Sequence, residues 1–62
     1  MDADLRGALE QLNSSYKAFQ HNGKSMTKSQ VKAVLEYGIN QGYTKLSQIE
    51  DFEVDKIIEG LN

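Results

Sequence analysis

The side chains able to do chemistry in this chain are few, and the densest group is an acidic run, Glu50, Asp51, Glu53 and Asp55. Asp51, Glu53 and Asp55 have the spacing of the first three oxygen ligands in an EF-hand calcium loop. That loop also needs Gly at its sixth position, where Lys56 stands, and Glu at its twelfth, which falls on Asn62. The pattern fails both where the loop must turn and where it must close. Acids at a helix start account for the same residues, because negative charge is favourable beside the unpaired backbone N–H groups there.

Nucleophilic catalysis requires a nucleophile, a base and a group that orients the base. Ser14 and Ser15 precede the single His21 by six or seven residues, about two turns along a helix and beyond hydrogen-bond reach. Gly23-Lys24-Ser25 matches the end of a phosphate-binding loop, but the earlier Gly of that motif falls on Ala18, and no strand is expected before it. The chain has no Cys and one His, so neither a thiolate site nor a histidine cluster can form. No metal and no cofactor are expected, and the chain reads as a non-enzyme.

Charge is unevenly distributed about a net of −2. Residues 1–16 carry Arg6 against Asp2, Asp4 and Glu10. Residues 17–47 carry Lys17, Lys24, Lys28, Lys32 and Lys45 against Glu36, a basic middle. Residues 48–62 carry Lys56 against Glu50, Asp51, Glu53, Asp55 and Glu59, an acidic end. Lys24, Lys28 and Lys32 recur every four residues, hence along one helical face, which is the case for nucleic acid. Phosphate contacts of that kind are salt-sensitive, and residues that read base edges are thin, with Gln30 taken by a cap. A helix-turn-helix would turn at Gly42 to Thr44, and its recognition helix would be either short or acidic.

These residues must be positioned by helices. The strongest local signal lies between Met26 and Tyr43. Thr27 and Gln30 fit a capping box, and Met26 can staple onto Val31. Val31, Val34, Leu35 and Ile39 form one apolar stripe with Gly38 on the same side, and Gly42 marks the stop. Upstream, Leu5, Ala8, Leu9, Leu12, Tyr16 and Phe19 step by three and four, so the spacing predicts a helix from about Asp4 to Gln20. Asp2 and Asp4 suit its start, Lys17 and His21 its end, and Asn22-Gly23 would terminate it. Gly7 weakens it, through plain tolerance or to admit another backbone. Downstream, Thr44 is a candidate cap for a short turn over residues 45–49 with Leu46 and Ile49 inward. Asp51 would cap a last helix over residues 52–61, with Val54, Ile57, Ile58 and Leu61 inward and Phe52 beneath its start.

The expected fold is all-α: a small three-helix bundle in a single domain, with helices at about 4–20, 28–41 and 52–61. At 62 residues such a chain buries only about 60% of the surface it exposes when unfolded, so association with a protein partner or with its own copy is expected. No signal peptide and no span of about 18 apolar residues is present, so a cytoplasmic location and no membrane role are expected. Tyr is favoured at interfaces because it is large, stiff and amphipathic. Tyr16, Tyr37 and Tyr43 are therefore the expected exposed contacts, with Lys28 and Lys32 at the rim. The alternative is a small helix-turn-helix-like DNA-binding protein that uses the basic middle.

Overall fold

Helix α3 (Lys28–Asn40) forms where the local signals are strongest, and the other helical segments among the described residues pack on it. Thr27 is extended, its Oγ1 accepts from the Gln30 N–H at 3.2 Å, and its own N–H donates to Gln30 Oε1 at 3.0 Å. Two unpaired donors at the helix start are thereby satisfied reciprocally. Met26 and Val31 are both buried, as the staple requires. At the other end Gly42 takes φ +83°, and the Gly42 and Tyr43 N–H groups donate to the carbonyls of Ile39 and Gly38. That pair of bonds is a Schellman motif, and it turns the chain sharply out of the helix.

The computed structural model describes residues 4–61 and bears out the three-helix bundle, with a 3-10 turn before the last helix. Asp2, one of the expected start acids, lies outside the described residues. The first arm differs in detail from a single helix to residue 20. It comprises α1 (Leu5–Glu10), a break at Gln11, α2 (Leu12–Ser15) and a 3-10 turn over Tyr16–Ala18. Asn13-Ser14-Ser15 explains the break, because short polar side chains compete for nearby backbone groups. The Ser15 hydroxyl donates to the Ala8 carbonyl at 2.8 Å and that of Ser14 to the Gln11 carbonyl at 3.2 Å.

Phe19 is already extended, and the chain then forms a hairpin of β1 (Gln20–His21) and β2 (Lys24–Ser25). Asn22 and Gly23 do take positive φ, +54° and +77°, but as the two central residues of this hairpin and not as a helix cap. An Asn-Gly pair with both φ positive is the favoured two-residue hairpin loop, since its twist matches that of the strands. The Met26 N–H donates to the Phe19 carbonyl at 3.1 Å, and both side chains are buried. His21, expected at a helix end, therefore lies on a strand.

Helix α4 (Asp51–Leu61) follows a 3-10 turn over Leu46–Gln48. Thr44 does not cap that turn with its hydroxyl. Instead Gln48 Oε1 reaches back to the N–H groups of Thr44 and Lys45 at 2.7 and 2.8 Å. The start of α1 is tied to the same loop through the Leu5 N–H, which donates to the Thr44 carbonyl at 3.0 Å. The core between these elements is Leu5, Val31, Val34 and Leu35, fully buried, ringed by Phe19, Met26, Ile49 and Val54. At Gly38 the layers approach closely. A Cβ built there would stand 2.7 Å from Leu5 Cδ1 and 2.8 Å from Ile49 Cδ1. Gly7 has no such role, its nearest neighbour being Asp4 Cβ at 3.9 Å.

Candidate functional site

The sharpest polar arrangement is built where α3 meets α4. Glu53 is the only buried charged residue among those described, at 8% exposure, and both of its carboxylate oxygens are engaged. Oε1 accepts from the Glu50 N–H at 2.8 Å, the same reach-back that Gln30 and Gln48 make at the two preceding helical starts. Oε2 accepts from the hydroxyls of Tyr37 and Tyr43, the latter at 3.2 Å. Tyr37 arrives from α3 and Tyr43 from the Schellman turn, so three segments converge on one carboxylate.

The protonation equilibria follow this geometry. The hydrogen bond from the Glu50 N–H, then that from Tyr37, holds the Glu53 carboxyl below its ordinary range against the opposing effect of burial. The hydrogen bond to Glu53, with burial second, pushes Tyr37 up to about 12. Burial first, then the Glu53 bond, raises Tyr43. Hydroxyls held protonated and a carboxylate held ionised make a strong charge-assisted contact. They do not make a proton-transfer pair, which needs a group poised near neutrality.

Tyr37 and Tyr43 were expected as exposed contacts; both are half-buried, with their hydroxyls turned onto Glu53. Tyr16 is half-buried as well and packs against the core from the 3-10 turn. The reason is common to all three: so small a bundle needs their rings to complete its core. Lys28 and Lys32 are exposed as expected, and Lys28 donates to Asn13 Oδ1 of α2. The expected set thus divides, with Tyr37 and Tyr43 at the α3–α4 seam and Lys28 at the α2–α3 side.

Phe52, expected beneath the start of α4, is 57% exposed, and Leu61, expected inward, is 50% exposed. The register of α4 explains Phe52. Val54, Ile57 and Ile58 turn to the core, and Phe52, two residues before Val54, falls on the opposite side of the helix. Glu53 sits at the edge of the buried face, held by its three hydrogen bonds. Residues three, four and seven further on, Asp55, Lys56 and Glu59, share the outer face with Phe52, and all are exposed. The periodicity of Val54, Ile57 and Ile58 is the local signal for that outer face. No local pattern announces the burial of Glu53, which looks like an ordinary acid in a first helical turn.

On the hairpin side, His21 Nε2 lies 2.6 Å from Asp55 Oδ1 and latches β1 to α4. An open groove beside this contact is lined by Lys24, Met26, Gln30 and Ile58 as well. A further hollow, of about 390 Å³, lies between α1 and α3 and is lined by Arg6, Leu9, Glu36, Ile39 and Asn40. Among the described residues no three His, Asp or Glu side chains are grouped as metal ligands, and no helix is long and apolar enough to cross a membrane. Comparison with protein-family models, with curated proteins and with solved structures finds no match to this chain.

Proposed function

We propose that this chain is a non-enzymatic protein-interaction module whose principal contact surface is the outer face of α4, centred on Phe52. The exposure of Phe52 carries the reading. Full burial of such a side chain stabilises a fold by roughly 1.5–3 kcal/mol, and a small chain that needs core leaves this one in solvent. Large aromatic side chains of this kind dominate binding energy when a partner covers them. Tyr37 and Tyr43 serve as positioning residues here, since by holding Glu53 they fasten α4 to α3 in the rotation, set by Val54, Ile57 and Ile58, that leaves Phe52 outside. Tyr16, Lys28 and Lys32 form a second contact edge on the α2–α3 side.

The test is photo-crosslinking from a light-activated residue replacing Phe52, with the same residue at exposed Ser29 as control. Polypeptide adducts from position 52 and not from position 29 support the reading. An absence of any polypeptide adduct at 52 refutes it.

The nucleic-acid alternative rests on the exposure of Lys24, Lys28 and Lys32. Against it, the segment after the Gly42 turn is a three-residue 3-10 turn, and α4 beyond it exposes Asp51, Asp55 and Glu59. Binding by the lysines would fall steeply between low and physiological salt.

A further inference from the structure

We infer that the partner on the Phe52 face is a second copy of this chain, bound head to tail, with Phe52 of one copy seated in the α1–α3 hollow of the next. The inference rests on the reading of the α4 face as a contact surface and names its occupant. The hollow has the chemistry that face lacks. Its lining includes the half-buried pair Leu9 and Ile39, an apolar contact for the edge of an aromatic ring among polar neighbours. Its rim carries Arg6 from α1 and Glu36 from α3, with Lys32 one turn from Glu36. Around Phe52 the balance of sign is reversed: its face carries Asp55, already bonded to His21, and Glu59 against Lys56, whereas the hollow and its neighbouring turn carry Arg6 and Lys32 against Glu36. An acidic face around an exposed ring, the knob, thus complements a hollow flanked by two cations, Arg6 of α1 and Lys32 of α3.

The two surfaces are different faces of the molecule. Tyr37 and Val34 turn toward α4, whereas Glu36, Ile39 and Asn40 lie on the α1 side of α3. A contact between unlike faces is heterologous and leaves one free knob and one free hollow at the ends of every chain of copies. It is also small. The molecule exposes 4355 Å² in all, and a stable interface takes about 800 Å² from each partner, roughly a fifth of that surface. A single ring in an open hollow covers less, so association is weak and concentration-dependent.

The experiment is sedimentation equilibrium of the intact chain from about 10 μM to about 1 mM, with two variants at exposed positions, Phe52→Ser and Arg6→Glu. Circular dichroism verifies that each variant keeps its helices. The wild-type mass is expected to climb past that of a dimer without levelling off, and to fall back in high salt. Each variant alone is expected to remain a monomer. Mixed together, they are expected to form a dimer and nothing larger, because the Arg6→Glu copy keeps its knob and the Phe52→Ser copy keeps its hollow. A wild-type monomer at every concentration overturns the inference, as does a closed dimer or a mixture that stays monomeric. If the wild type is monomeric while position 52 still crosslinks to other polypeptides, self-association alone fails. If neither occurs, the interaction reading fails with it.

Discussion

Gly38→Ala gives a signed test of how the bundle is packed. In an exposed helix interior, Ala is favoured over Gly by about 1 kcal/mol. At position 38 the added Cβ would sit 2.7 Å from Leu5 Cδ1, 2.8 Å from Ile49 Cδ1 and 3.3 Å from Ile49 Cγ1, where carbon atoms prefer about 3.5–4.0 Å. Both neighbours are methyl ends of flexible side chains, so they can swing away. Leu5 is fully buried and Ile49 is 8% exposed, however, so each swing ends in occupied space and costs about 0.5–1.5 kcal/mol as an off-rotamer side chain. Overpacking of this kind typically costs 1–3 kcal/mol, which exceeds the helical gain. The net expectation is a loss of about 1 kcal/mol, a fall in Tm of roughly 4–8 °C for a domain of this size. Gly7→Ala is the control, because its nearest atom is 3.9 Å away; there the helical gain stands unopposed and Tm should rise. Thermal and urea unfolding of both variants gives the comparison. Adding Ile49→Val, which deletes the 2.8 Å contact, should cost less in the Gly38→Ala background than alone, a coupling that a double-mutant cycle reads directly. If Gly38→Ala is as stable as Gly7→Ala, helices α1 and α3 do not meet at Gly38 as described and the packing argument is wrong.

Three further outcomes follow from the local geometry. Thr27→Ala removes the acceptor of the Gln30 N–H and should lower stability by about 1 kcal/mol; a urea midpoint equal to wild type would show that the cap contributes nothing. The lowered pKa of Glu53 contributes stability that is present above its unfolded value, near 4.5, and is lost as pH falls below it. Tyr37 behaves oppositely: raised to about 12, it contributes stability that is present below its unfolded value, near 10, and is lost as pH rises from there toward 12. Glu53→Gln should flatten both limbs of a Tm-against-pH curve, and persistence of the wild-type shape would assign it to other groups. Gly23→Ala forces φ +77° on a residue with a Cβ, in open space, so it should cost roughly 1–2 kcal/mol through backbone strain alone. Replacement by Asn, which tolerates that conformation better, should be milder, and equal losses would argue against the hairpin turn.

Wherever burial and capping agree along a continuous segment, the sequence by itself determined the structure. The limits of α3, its capping box, its Schellman stop and the apolar stripes of all three helical arms follow from spacing and local hydrogen bonding, and the bundle follows from those stripes. Two local signals were present but outweighed by helical periodicity. One was Asn22-Gly23, which specifies a hairpin as readily as a helix stop; the other was Asn13-Ser14-Ser15, which favours a break. Periodicity from Leu5 to Phe19 runs through the second and up to the first, because a kinked helix can bury the same side chains as a straight one. The candidate site is different in kind. Whether Glu53 can be buried depends on Tyr37 and Tyr43, which reach that point from elsewhere in the chain. Whether Gly38 is a tolerated flaw or a contact point depends on Leu5 and Ile49, distant in sequence. A carboxylate can be buried only where its hydrogen-bond donors converge. That convergence is a property of the packed bundle, so tertiary structure alone decided that Glu53 is buried and that Tyr37 and Tyr43 turn their hydroxyls onto it.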